Sequence, residues 1–218
     1  MACQDVEVHN VTTAARFWSI EDMLAKIGNL VYETTGDNIT EHMDNHDNWL
    51  GVFREHPDKV KILVIDGKIK GLMVFLMLND LYFCKAKNGE LAESTITVDT
   101  ILALDKPGEY KMYLVDIAIA EEHRILSNFT KLITSFMCQL EKYASAGMFV
   151  MDWCANAHTT DGEKVCKMFG MRHVCDYKGK SGGKMYYNRI DIETFSNKFF
   201  QRYPEFVRLY TEYLNNIN

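Results

Sequence analysis

The run YKMYLVDIAIA, residues 110–120, passes into EEHRILSNFTKLITSFMCQLEKY with neither proline nor glycine between them. The first part is rich in β-branched and aromatic side chains and predicts a strand. The second places Leu126, Phe129, Leu132, Ile133, Phe136, Met137, Leu140 and Tyr143 at three-and-four spacing, which predicts a long amphipathic helix ended by Gly147. A strand that turns directly into a helix commits the chain to a sheet with helix packed on it. It also leaves the unpaired N–H groups of a helix N-terminus at the strand's end, where anions bind.

The rest of the chain extends this pattern. Phe17, Ile20, Leu24, Ile27 and Val31 predict a helix over 14–33, and Ile39, Met43, His46, Leu50 and Phe53 a second one, capped near Asn38 or Thr40 and ended before Pro57. VKILVI, the turn DGK and IKGLMVFLML predict a hairpin, because Asp-Gly supports the positive φ of tight turns. STITVDTILAL reads as one or two short strands, and MFVMDWCA as a further strand. DGEKVCKMFG reads as a short helix, and RHVCDYKGKSGGKMYYNRI as a closing hairpin. Two aromatic-rich helical pieces follow, about 192–202 and 204–216, with Pro204 in the first turn of the second. Strands mixed with helices around one central sheet define an α/β (α+β) chain. The expected organisation is one domain over 1–191 with a C-terminal helical extension, 192–218, packed on it.

The balance of 24 basic and 30 acidic residues, a formal charge of −6, argues against electrostatically driven nucleic-acid binding. Six cysteines, at 3, 84, 138, 154, 166 and 175, include no C-x-x-C pair and read as reduced thiols of a cytoplasmic protein. GLMVFLML is the longest apolar stretch and is strand-length, so no membrane span is expected.

Several local strings, in order, resemble the GNAT superfamily of acyl-CoA-dependent N-acyltransferases over about residues 10–191. IDGKIKGLMVFLML is similar to that family's second and third strands, YLVDIAIAEEHR to its fourth strand and the start of its CoA loop, and EKVCKMFGMRHV to its late helix and next strand. The resemblance implies a GNAT-like mixed sheet, acetyl-CoA or another acyl-CoA as cosubstrate, and a primary amine of a small molecule or protein as acceptor. It places backbone donors to the acyl chain at Ile117, Ala118 and Ile119. The family's R/Q-x-x-G-x-G/A phosphate loop falls on Arg124, Ile125, Leu126, Ser127, Asn128 and Phe129, where Ser127 and Phe129 replace the small residues and Phe129 is expected to crowd the pyrophosphate.

The resemblance also suggests catalytic groups. Cys166, four before Gly170, takes the place of a tyrosine that protonates the departing CoA sulfur; a small buried residue is the plainer alternative. Asp116 lies where some relatives carry an acidic base, and solvent exposure or a lysine partner would equally explain it. His158 offers a second base. Asn156 matches an asparagine that contacts pantetheine, although counting from Cys166 selects Thr159 instead.

Other features have simpler readings. His42 and His46 stand at i, i+4, but a third metal ligand is not evident, so a structural role is expected and no metal. KGKSGGK lacks the strand-to-helix setting of a nucleotide loop and reads as a hairpin turn over the acceptor. Phe195, Phe199, Tyr203, Phe206, Tyr210 and Tyr213 are core positions or, alternatively, a homodimer or partner surface. Two functions are thus open: an N-acyltransferase, or a GNAT-fold protein that has lost transfer and works by protein–protein binding in a regulatory or phage-encoded setting. Aminoacyl transfer from tRNA is disfavoured by the acidic balance.

Overall fold

The computed structural model describes residues 5–35, 46–180 and 182–217. Its elements in chain order are β1 (Val6–His9), α1 (Val11–Ala14), α2 (Ile20–Thr35), α3 (His46–Glu55), β2 (Val60–Ile65), β3 (Lys68–Met77) and α4 (Asp80–Lys87). They continue as β4 (Gly108–Ile119), α5 (Leu126–Ser145), β5 (Met148–Ala157), α6 (Thr160–Met168), β6 (Arg172–Asp176), β7 (Lys184–Arg189) and α7 (Pro204–Ile217). The strands form one seven-stranded mixed sheet ordered β1-β2-β3-β4-β5-β7-β6. Among the described residues no helix is long and apolar enough to cross a membrane.

The chain divides into two compact units, the first comprising Met1–Phe75, Ala92–Thr100 and Val115–Phe136 and the second Leu76–Leu91, Ile101–Leu114 and Met137–Asn218. In the first unit, β1 and β2 pair antiparallel from Val6↔Ile65 to His9↔Ile62. The expected Asp-Gly turn joins β2 to β3, with Asp66 at φ 49 and Gly67 at φ 71. Positive φ at both central residues matches the right-handed strand twist. At Gly71 a Cβ would stand 3.0 Å from the Ala118 carbonyl oxygen, so only glycine lets β3 approach β4 that closely there. The Phe75 ring meets that of Phe136, on α5, edge to face at 4.9 Å.

Helical periodicity located α2 but overextended it at the start. Leu24, Ile27 and Val31 are buried as expected, whereas Phe17 precedes the helix and is 51% exposed, with the Arg16 guanidinium 4.6 Å from its ring centre. In α3 the buried residues are Trp49, Val52 and Phe53, and His46 is exposed rather than on the apolar side. Asn38, Thr40 and His42 lie outside the described residues. Three elements were not anticipated, the single turn α1 among them. Strand β1 is short and half-exposed, and α4 occupies the segment after Leu78.

The segment expected to hold extra strands instead forms 3-10 turns at Glu93–Thr95 and Val98–Thr100, with only Ile101 bridging to Leu78. Thr95 Oγ1 donates to the Ala92 carbonyl and Thr100 Oγ1 to that of Thr97, at 2.6 and 2.8 Å. Local hydroxyl bonds of this kind compete with strand pairing.

In the second unit β4 and β5 pair in parallel from Gly108↔Met148 to Leu114↔Ala155, and β7 joins β5 antiparallel. Trp153 anchors the core, its ring 5.6 Å from that of Phe169 and 5.9 Å from that of Phe200. Phe195, Phe199, Tyr203, Phe206 and Tyr210 are buried here, and Tyr213 stacks on Phe149 at 3.9 Å. Phe195, Phe199, Tyr203, Phe206 and Tyr210 therefore take the core reading, their side chains covered by their own unit. Tyr210 contributes a polar anchor as well, its hydroxyl accepting the Val150 N–H at 3.0 Å.

Candidate functional site

Strand β4 enters its last residues with Val115, Asp116 and Ile117 half-buried and Ala118 and Ile119 buried, although β4 is central to the sheet. The loop that follows is held at several points. The Ala120 N–H donates to the Lys70 carbonyl at 2.9 Å, and Arg124 Nε donates to the Ile119 carbonyl at 2.8 Å. The Asn128 side chain, 2% exposed, donates to the His123 carbonyl at 3.1 Å. A 3-10 turn over Glu121–His123 fills the space between.

These bonds set the direction of the α5 N-terminus. The Asn128 and Phe129 amides both donate to the Ile125 carbonyl, at 3.1 and 3.2 Å. The Leu126 and Ser127 amides have no acceptor among the described residues. Two adjacent free donors at the positive end of a 20-residue helix suit a phosphate oxygen. Phe129 is half-buried, while Ile125 and Leu126 are 52% and 77% exposed, so the most exposed apolar groups at the loop are not the phenylalanine expected to crowd it. Glu121 and Glu122 oppose an anion. Lys70, 2.7 Å from Glu122, offsets one of them and lowers its pKa by hydrogen bonding.

The remaining candidates lie in the second unit. Asn156 pairs with Met185 near the end of β5 and donates through Nδ2 to His158 Nε2 at 3.0 Å and to the Gly182 carbonyl at 3.3 Å. Asn156 Oδ1 is buried and has no donor among the described residues. Gly183, at φ 107, leaves room for it, since a Cβ there would collide with Oδ1. Ser181, within this hairpin turn, lies outside the described residues.

Cys166 is buried on α6, and burial, reinforced by the Glu163 carboxylate, pushes its pKa up to about 12. It remains protonated at neutral pH, as a general acid must, but has little tendency to give up the proton. Thr159 caps α6, its Oγ1 accepting the Gly162 N–H at 3.0 Å. Beside Cys166 stands a group the sequence did not reveal. Tyr186 Oη and Lys184 Nζ each donate to Glu163 at 2.8 Å, holding its pKa down at about 2. Burial and the Glu163 carboxylate push Tyr186 up to about 12. Tyr186 pairs with Ala155 and Met185 with Asn156, so strand alternation places this cluster on the opposite face of β7 from Asn156. A cavity of about 450 Å³ lies against it. The signal was invisible locally because Glu163 and Tyr186 are brought together only by tertiary packing.

The five described cysteines are free, and no group of three His, Cys, Asp or Glu side chains among the described residues could hold a metal ion.

No family model matches the chain, and no curated protein sequence does. Solved structures do. The loading GNATL domain of CurA from Lyngbya majuscula covers 85% of this chain and 98% of its own, with TM-score 0.55 and 12% identity. Arabidopsis thaliana Naa50, in complex with the bisubstrate analogue CoA-Ac-MVNAL, covers 85% and 99% at TM-score 0.51 and 11% identity. The PaiA N-acetyltransferase from Thermoplasma acidophilum, in complex with coenzyme A, covers 85% and 99% at TM-score 0.50 and 13% identity. The chain has the GNAT superfamily fold.

Proposed function

We propose that this chain is an acyl-CoA-dependent N-acyltransferase, with acetyl-CoA as donor and a primary amine of a small molecule or protein as acceptor. The observation that carries the proposal is the pair of free Leu126 and Ser127 amides at the α5 N-terminus, directly after β4 in a GNAT fold. Such donors with the helix dipole hold a pyrophosphate.

Acyl-CoA, when bound, supplies an activated thioester. The chain's residues are assigned as follows. Arg124 braces the loop, and the loop amides bind phosphate. The β4 amides at Ile117, Ala118 and Ile119 orient the acyl carbonyl and offset the negative charge that develops on its oxygen. The attacking amine must be neutral, so a base takes its proton; Asp116 and His158 are the candidates, and a positioned base contributes about 10²–10⁴ in rate. Cys166 is assigned the proton that the departing thiolate receives, a weak donor at about 12.

The test joins binding to turnover: calorimetric titration with acetyl-CoA, then release of free CoA in the presence of an amine panel. Binding with amine-dependent release supports acyl transfer. Binding without release by any amine sinks acyl transfer, against which the weak acidity of Cys166 already stands, whereas the protein-binding alternative is favoured by absence of binding. Absence of binding sinks both the donor assignment and the enzyme.

A further inference from the structure

Within the first unit a groove of about 300 Å³ runs between α2 and the start of β3. From α2 it is lined by Lys26, Asn29, Leu30 and Glu33, spaced i, i+3, i+4 and i+7, so that one helical stripe forms a whole wall. Trp18, half-buried, also lines it, and Lys68 and Lys70 come from β3. Ala120, the residue that follows β4, is part of the lining.

The charge is unusual for a chain of net −6. Lys70 is engaged by Glu122, but neither Lys26 nor Lys68 has an ion-pair partner among the described residues. The groove's own lining carries three lysines, Lys26, Lys68 and Lys70, against one carboxylate, Glu33. A partly exposed indole beside unengaged ammonium groups suits a ligand that joins a flat aromatic base to a phosphate monoester. The groove's apolar contribution, Leu30 with the lysine stems, is compatible with a ribose between them.

We infer that this groove binds the adenosine 3′-phosphate end of coenzyme A, with Trp18 stacking on the adenine and Lys26 and Lys68 receiving the 3′-phosphate. The inference rests on the acyl-CoA reading, and it gives this chain a means of compensating for a phosphate loop that carries two glutamates and two exposed apolar side chains. Affinity withheld at the pyrophosphate is supplied at the other end of the same nucleotide. Attraction to a dianionic phosphate also makes binding fall with added salt.

The experiment is calorimetric titration of the full chain with CoA, 3′-dephospho-CoA and adenosine 3′,5′-bisphosphate, for the wild type, the Lys26→Ala/Lys68→Ala double variant and Trp18→Ala. The wild type should bind CoA about tenfold or more tightly than 3′-dephospho-CoA, as expected for hydrogen bonds to a charged group. The lysine variant should bind the two equally, and Trp18→Ala should weaken both together. Adenosine 3′,5′-bisphosphate should compete with CoA in the wild type and lose that ability in the lysine variant. Unliganded melting temperatures of the exposed lysine variants serve as the folding control. A preference for CoA that survives the lysine substitutions, or no preference in a wild type that binds both, overturns the groove assignment and leaves the acyl-CoA reading standing. Failure of all three ligands overturns both.

Discussion

Arg124 Nε donates to the carbonyl oxygen of Ile119, spanning the loop between β4 and α5 at 2.8 Å. The bond turns an arginine that would otherwise reach into solvent into a brace, and it fixes where the free amides of α5 point. Arg124→Ala should cost about 1 kcal/mol of stability, or about 2–4 °C in melting temperature for a chain of this size. Acetyl-CoA affinity should fall by about tenfold, more than that stability loss explains. Thermal unfolding with and without ligand separates the two; equal affinity in variant and wild type would rule out the brace.

Gly183 holds φ 107 against Asn156. Gly183→Ala forces a methyl into the Asn156 oxygen and an L-residue into left-handed backbone, a loss of about 1–2 kcal/mol or more. The expected result is a lower melting temperature together with weaker CoA binding. An unchanged melting temperature would show that the hairpin adapts.

Cys166 is buried with its thiol pushed up to about 12, whereas Cys84 is exposed. At pH 8 an alkylating reagent should modify Cys84 on the folded chain and leave Cys166 untouched until denaturant is added, because thiolate character and access both control the rate. Peptide mass spectrometry reads the two sites separately. Rapid Cys166 labelling in the native state would contradict the buried assignment.

Glu163 has its pKa lowered from 4.5 to about 2 by Lys184 and Tyr186. A depressed carboxylate contributes stability above its unfolded pKa and loses it as pH falls through the folded one. Glu163→Gln should therefore be less stable than wild type above about pH 4.5, with the gap closing as pH approaches 2. Melting curves across that range test it; a gap independent of pH would assign the loss to packing.

Much of this fold was readable because its signals are local. The Asp66-Gly67 turn, the strand at β4 and the apolar stripe of α5 each declare themselves within one window of sequence. Helix α4 also carries local signals: Asn79 caps it by accepting the Tyr82 N–H at 3.0 Å, with Asp80 in its first turn and Lys85 and Lys87 in its last. The β-branched run after Glu93 misled because Thr95 and Thr100 spend their hydroxyls on nearby carbonyls, which holds the backbone in turns. Strand β1 is half-polar and gains its identity only by pairing with β2.

The site was legible where it follows the chain and not where it is assembled from distant parts. Arg124 through Phe129 could be marked from the resemblance to a phosphate-loop motif, but which of their amides remain free depends on where Ile125 sends its carbonyl. Glu163 and Tyr186 meet only after folding, as do the α2 and β3 residues that line one groove, and no spacing rule reaches across such separations.

Calorimetry and thermal shift with acetyl-CoA, for the wild type and for Ser127→Glu, test the central claim most directly. Ser127 is exposed in the first turn of α5, so the added carboxylate occupies the anion position without disturbing the core. Micromolar binding by the wild type should raise its apparent stability by about 4 kcal/mol at a thousandfold excess of ligand over Kd, and Ser127→Glu should abolish the response. A wild type that does not respond to millimolar acetyl-CoA, or a variant that binds as well as wild type, would contradict the assignment of the α5 N-terminus as the acyl-donor site.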